Sequence, residues 1–129
     1  AIIVSQYSVI GELMAELEYK KIDNNIVVYF ESPLDISTSP LMERSLEVLM
    51  KQYDGYSFIL NLSRVAYINS AGLGVIILTA KKLEKCGSSL KICNLNNVVK
   101  KVIDILDAQD VIDIYEDEED AVNSSKSGN

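Results

Sequence analysis

The stretch from Ser57 to Lys85 constrains this chain more than any other part. Ser57-Phe58-Ile59-Leu60-Asn61-Leu62 is a short apolar run of the kind that forms a buried strand. Val75-Ile76-Ile77-Leu78-Thr79-Ala80 is a second apolar run; it continues into Lys81-Lys82-Leu83-Glu84-Lys85 and reads as a buried helix. Between them lies Asn69-Ser70-Ala71-Gly72-Leu73-Gly74. A buried strand that passes through a polar loop into a buried helix points to a sheet with helices packed on it.

A serine therefore sits at a strand–loop–helix junction. Asn69 and Ser70 are both good N-cap residues, because a short side-chain oxygen can accept a hydrogen bond from a free backbone N–H. A phosphate on the Ser70 hydroxyl would meet the positive end of a helix, which makes Ser70 a candidate for modification. The plainer reading is a helix cap, with glycines that let the helix pack closely on the sheet.

The rest of the chain alternates strands with helices. Glu16 to Lys21 and Ile26 to Glu31 are strand-like, with Asp23-Asn24-Asn25 as a hairpin turn. Ser32-Pro33-Leu34-Asp35 breaks the second strand. Ser37-Thr38-Ser39-Pro40 starts a helix with hydroxyl caps and a proline at its first position. Its apolar face is expected to carry Leu41, Ser45, Val48 and Leu49, with Leu46 and Met50 beside it. Asp54-Gly55 ends that helix, and Gly87 closes the next one. Ser89 to Cys93 is a short buried strand. Asn96 to Leu106 is a helix with Val98, Val99, Val102, Ile103 and Leu106 on one side, and Val111 to Tyr115 is a last extended segment. Glu116-Asp117-Glu118-Glu119-Asp120 opens a terminal helix as a solvated first turn, where carboxylates suit the dipole. The seven tyrosines read as packing residues. Residues 1–14 show no clear period, and Met14 is a candidate natural start, so they are set apart as an N-terminal extension. Residues 15–123 form the domain, and 124–129 are expected to be a disordered tail.

Composition removes several function classes. The chain has 129 residues, enough for one domain with a single core. Its net charge of −7 argues against nucleic acid and anionic membranes as partners. No apolar run approaches the ~20 residues of a membrane helix, and no basic region precedes the N-terminal apolar residues, so a cytoplasmic protein without membrane insertion is expected. Cys86 and Cys93 lack zinc-site spacing and read as reduced and semi-buried. There is no histidine, which removes a Ser-His-Asp triad, a Cys-His dyad and His-ligated metal sites. No phosphate-binding glycine loop of the Walker type is present, and Gly72-Leu73-Gly74 lacks the spacing of a dinucleotide fingerprint. A non-enzyme without cofactor or metal is the expectation.

The run from Leu60 to Gly74, Leu60-Asn61-Leu62-Ser63-Arg64-Val65-Ala66-Tyr67-Ile68-Asn69-Ser70-Ala71-Gly72-Leu73-Gly74, resembles the signature of the STAS domain family, the anti-sigma factor antagonists. The family pattern is Asp-Ser-Ser/Thr-Gly-Leu-Gly after a strand and a polar loop, and the resemblance extends from about Leu17 to about Val122. It implies an α/β fold with a mixed four- to five-stranded sheet, an initial hairpin and about four helices. It implies that Ser70 is the phosphorylated residue. It also implies that Asp35, Asn69, Ser70, Ala71 and Gly72 belong to the partner-docking surface. Asp35 is placed there because Leu34-Asp35 matches the end of the family's Gly-Glu-Leu-Asp; its alternative is a turn or cap residue at the first helix. Two positions depart from the pattern. Asn69 stands where the family has Asp; it caps equally well but lacks the charge. Ala71 replaces the second hydroxyl residue, which leaves Ser70 as the one acceptor within the motif.

The function implied is a binding module switched by phosphorylation. Unphosphorylated, it binds an anti-sigma factor that is also a serine kinase of the histidine-kinase-like ATPase type, and so frees the sigma factor. Phosphorylation of Ser70 ends binding, and a serine phosphatase restores it. ATP and Mg²⁺ belong to the kinase. The competing reading is a non-switching STAS scaffold or transporter-accessory module.

Overall fold

A computed structural model describes the backbone of residues 2–10, 13–31 and 33–127, and the side chains of residues 18–31 and 33–124. Among these residues the chain forms, in order, β1 (Ile2–Ile10), β2 (Leu13–Ile22), β3 (Asn25–Tyr29), α1 (Ser39–Gln52), β4 (Ser57–Asn61), α2 (Ser70–Lys85), β5 (Leu90–Cys93), α3 (Asn97–Ile105), β6 (Asp113–Tyr115) and α4 (Glu118–Ser127).

The six strands form one mixed sheet in chain order, β1-β2-β3-β4-β5-β6. The first two pairings are antiparallel and the next three parallel. Chain order follows from the connections. The β2–β3 hairpin turns tightly at Asp23, whose φ of 54° is a left-handed conformation that Asp tolerates. Each later pair of neighbours is joined through one helix, as parallel pairing requires.

Helices α1, α2 and α3 pack on one face of the sheet, where Phe58, Leu60, Ile76, Leu46, Leu49 and Val99 are among the fully buried side chains. The other face buries Val27, Ile59 and Cys93 beneath Ala121 and Val122 of α4. Alternate residues of β3 and β4 thus serve two cores, which is why these strands read as nearly continuous apolar runs. Helix α2 ends in a Schellman motif: Gly87 has φ 80°, the Ser88 N–H donates to the Leu83 carbonyl at 2.9 Å and the Gly87 N–H to the Glu84 carbonyl at 3.0 Å.

The α/β class, the hairpin and the four helices agree with expectation, while several details differ. The sheet has six strands, because residues set apart as an extension form β1 and the start of β2. Ile2, Ile3, Val4, Tyr7, Val9 and Ile10 supply β-forming side-chain types without a clean alternation, so the run carried no period to read. Helix α1 begins at Ser39 and buries Met42, Ser45, Leu46 and Leu49, while Leu41 is exposed. The apolar stripe is therefore turned by one residue from the expected one. On α3, Val99 and Ile103 are buried but Val98 and Leu106 are exposed. Helix α4 opens at Glu118 and continues through Ser127, inside the segment expected as a tail; Gly128 and Asn129 lie outside the described residues. Cys93 is fully buried, with its thiol pushed up to about 12 by burial and by the nearby Glu118 and Asp117 carboxylates, whereas Cys86 is exposed. Both cysteines are free thiols.

Candidate functional site

The parallel strands deliver their C-terminal ends to one edge of the domain, the usual site-bearing end of an α/β sheet. Two loops meet there. One runs from Phe30 to Thr38 between β3 and α1, and the other from Leu62 to Asn69 between β4 and α2. Leu34 and Ile68 form a parallel bridge that joins them: the Leu34 N–H donates to the Tyr67 carbonyl at 3.0 Å, and the Asn69 N–H donates to the Leu34 carbonyl at 3.1 Å.

Helix α2 starts directly over this bridge. Asn69 is its N-cap, with extended backbone (φ −122°, ψ −171°). The Asn69 Oδ1 accepts from the Ala71 N–H at 3.0 Å and from the Gly72 N–H at 3.3 Å. The capping role expected of Asn69 or Ser70 thus falls to Asn69, and Ser70 is the first helical residue, exposed to solvent. Gly72 is buried one turn in. A Cβ at Gly72 would lie 2.7 Å from the Leu34 Cβ and nearer still to the Leu34 carbonyl oxygen. Glycine is required here because the first turn of α2 rests on the backbone of the neighbouring loop.

Asp35 follows Leu34 and is tied on two sides. Its Oδ1 accepts from the Ser37 hydroxyl at 2.7 Å and from the backbone N–H groups of Ser37 (3.0 Å) and Thr38 (3.2 Å). Its Oδ2 accepts from the Tyr67 hydroxyl at 2.9 Å. The Ser37 hydroxyl, then the Tyr67 hydroxyl and the two backbone donors, hold the Asp35 carboxyl at about 2, well below the usual carboxylate range. The turn role and the place beside the Ser70 loop therefore coexist in one carboxylate. Thr38, the N-cap of α1, makes no side-chain cap bond; its hydroxyl donates to the Pro33 carbonyl at 2.6 Å.

The sequence reading missed three contributors. Tyr67, taken as a packing residue, is 41% exposed and links the two loops. Ile36 is 77% exposed beside Asp35, so an apolar side chain stands on this polar rim. Asn96, the N-cap of α3, donates from Nδ2 to the carbonyls of Val65 and Ala66, both at 3.1 Å, and braces the middle of the Ser70 loop. A spacing rule cannot find the partners of Tyr67 and Asn96, because those bonds join residues thirty or more apart in sequence.

The loop is also fixed at its start. The Asn61 Oδ1 accepts from the Ser63 N–H at 3.0 Å. Arg64 pairs with Glu18 at 2.8 Å and Glu31 at 3.3 Å, and its guanidinium lies 5.3 Å from the centre of the Tyr29 ring. Glu116, Asp117, Glu119 and Asp120 of the acidic run are exposed as expected, but Glu118 departs from the solvated role. Glu118 is half-buried and accepts from the Tyr29 hydroxyl at 2.7 Å and from Asn61 Nδ2 at 2.9 Å, and it pairs with Lys20. Burial opposes its charge, but the hydrogen bonds from Lys20, Tyr29 and Asn61 outweigh that and lower its pKa. The arrangement presents the exposed Ser70 hydroxyl, a pinned carboxylate, the exposed Ile36 side chain and the half-exposed Tyr67 ring on a braced frame. No helix among the described residues is long and apolar enough to cross a membrane.

The STAS domain family matches residues 16–121. An anti-sigma-B factor antagonist of Bacillus subtilis is 34% identical over 98 residues, which cover 76% of this chain and 88% of that protein. A crystal structure of an anti-sigma factor antagonist from Mycobacterium paratuberculosis superposes with a TM-score of 0.75 at 20% identity, covering 84% of this chain and 91% of that one. The anti-sigma factor antagonist SpoIIAA in its unphosphorylated form gives a TM-score of 0.70 at 16% identity, covering 88% and 97%.

Proposed function

We propose, from the premise that this chain belongs to the STAS domain family, that it is an anti-sigma factor antagonist whose docking is switched by phosphorylation of Ser70. The observation that carries the reading is the position of Ser70. It is exposed, it is the first residue of α2, and its cap is supplied by a different side chain. A phosphate there adds about −1.5 to −2 charge at a helix N-terminus, where the dipole tolerates it. The fold should survive modification, and the change is felt by whatever docks over the loop.

In this reading the unphosphorylated protein binds an anti-sigma factor that is also a serine kinase, and the sigma factor is released. The kinase brings ATP and Mg²⁺, and a serine phosphatase reverses the modification. Asp35, Asn69, Ala71 and Gly72 frame the contact. Asp35 presents charge, Asn69 holds the helix start, and Gly72 lets α2 approach Leu34. The pinned geometry of Asp35 supports a contact that needs little ordering on binding.

The test is incubation with each candidate anti-sigma factor kinase and ATP, followed by mapping of the modified residue. One phosphate on Ser70, absent in Ser70→Ala, is expected. Stable binding to a kinase that never labels Ser70 would instead favour the non-switching scaffold.

A further inference from the structure

We propose that Glu118 is a positioning residue for the Ser70 loop, through which the docked state of α4 sets the order of the loop's first residues. The proposal rests on the reading of the Ser70 loop as the docking surface.

One carboxylate sits at the centre of two arms. In the first, Asn61 Nδ2 donates to Glu118 Oε1 at 2.9 Å while Asn61 Oδ1 accepts from the Ser63 N–H at 3.0 Å. Asn61 is 7% exposed, so both ends of its amide are spent on protein partners, and the side chain is a rigid spacer between helix and loop. In the second, the Tyr29 hydroxyl donates to the same Glu118 oxygen at 2.7 Å, and the Tyr29 ring lies beneath the Arg64 guanidinium. Ser63 and Arg64 are the two turn residues that follow Leu62 as the chain enters the loop. Glu118 touches neither directly; it acts through Asn61 and Tyr29. Arg64 is also held by Glu18 and Glu31, so Ser63 depends most on this link.

The apolar contribution of α4 is small by comparison. Within the described part of the helix, Ala121 and Val122 are the buried side chains on Val27, Ile59 and Cys93. A helix of ten residues is marginal on its own, so its docking leans on the polar group at its start. When α4 lifts, Asn61 loses its acceptor and the Ser63 amide loses a fixed partner. The two sites are thus joined by a contiguous set of hydrogen bonds that ends on α4.

Amide hydrogen exchange on the intact chain tests this without any partner. Glu118→Ala is expected to speed exchange at Ser63 by about tenfold or more, since local opening sets that rate, while Ile59 and Leu60 in β4 keep parent rates. In a Lys20→Met background, where no ammonium faces the new amide NH2, Glu118→Gln retains an acceptor oxygen for Tyr29 and Asn61 and should restore the parent rate at Ser63. If the alanine variant does not fold, Glu118→Asp keeps the charge at the helix start but withdraws the acceptor by one methylene, and the same rise at Ser63 is expected. Parent-like exchange at Ser63 in the folded alanine or aspartate variant overturns the proposal. So does failure of the glutamine variant to restore it. Titration with the kinase that labels Ser70 then reads the consequence: weaker binding for alanine and parent-like binding for glutamine. Faster exchange with unchanged affinity would refute the link to docking while leaving the switch at Ser70 intact.

Discussion

The Tyr67 hydroxyl donates to the Asp35 carboxylate at 2.9 Å across a sequence separation of 32 residues. This bond lies beside the Leu34–Ile68 bridge and holds the side chains of the two site loops in register, as the bridge holds their backbones. It gives Asp35 a fixed direction before any partner arrives.

The Asp35 carboxyl should titrate near 2. Its folded pKa lies below the ordinary value, so its contribution to stability is complete above that ordinary value and is lost as pH falls through the folded one. Between about pH 4 and pH 2 the clasp to Tyr67 and Ser37 should open. The carboxyl-carbon shift of Asp35 followed by NMR gives the midpoint; a midpoint near 4 would mean that the clasp is absent in solution. In Tyr67→Phe the midpoint should rise, because one donor to the charged form is gone.

Asp35→Ala should weaken partner binding on the order of tenfold, the size expected for loss of one charged contact at the centre of a docking surface. Calorimetric titration of variant and parent gives the ratio. A melting temperature well below the parent's with unchanged affinity of the folded fraction would assign Asp35 to the turn alone.

Ser70→Glu should mimic the modified state and reduce partner affinity, while the melting temperature stays near the parent's because the charge sits at the positive end of α2. Ser70→Ala should bind and resist labelling. Strong labelling of Ser63 or Ser37 in that variant would remove Ser70 as the acceptor.

Gly72→Ala forces a methyl group into the Leu34 backbone. The two site loops must then separate or α2 must shift, at a cost of roughly 1–3 kcal/mol of stability. Chemical denaturation measures the loss. A parent-like midpoint would show that the first turn of α2 is more pliable than its packing indicates. Gly74 provides the control, since a Cβ there meets nothing within 4 Å.

Asn69→Asp should keep the cap and the stability of the parent, because a carboxylate accepts from the Ala71 and Gly72 N–H groups as the amide oxygen does. Asn69→Ala should lose roughly 0.5–2 kcal/mol. Comparing labelling rates of the parent and the Asp variant under one kinase measures what the missing charge means for recognition.

Much of this was legible from local pattern. The strand at Ser57, the cap at Asn69 and the helix from Ser70 are encoded by neighbouring residues, and they place Ser70 at a helix start. The α1 face was misjudged by one residue because Ser45, Leu46 and Leu49 fit either phase, and only Met42 against Leu41 decides it. Strand β1 was hidden by the lack of alternation among its side chains. The partners of Asp35 and Glu118 were hidden for a deeper reason. Tyr67, Tyr29 and Asn61 reach them through the fold, and nothing in their own surroundings marks them. An acidic run is usually solvated, and it took Lys20 on β2 to draw Glu118 inward.

The strand order has a consequence for synthesis. Because every strand pairs with its predecessor in the chain, a polypeptide leaving the ribosome can extend the sheet one strand at a time, each new edge being ready when the next strand emerges. Helix α4 reaches far back: Glu118 spans 57 residues to Asn61 and 89 to Tyr29, and Ala121 and Val122 pack on Val27. Helix α4, made after the six strands, therefore closes long loops, and such closures carry an entropic penalty. Glu118 must be made before the frame beneath Ser63 is complete, so a nascent chain exposes the Ser70 segment before that segment has its final support.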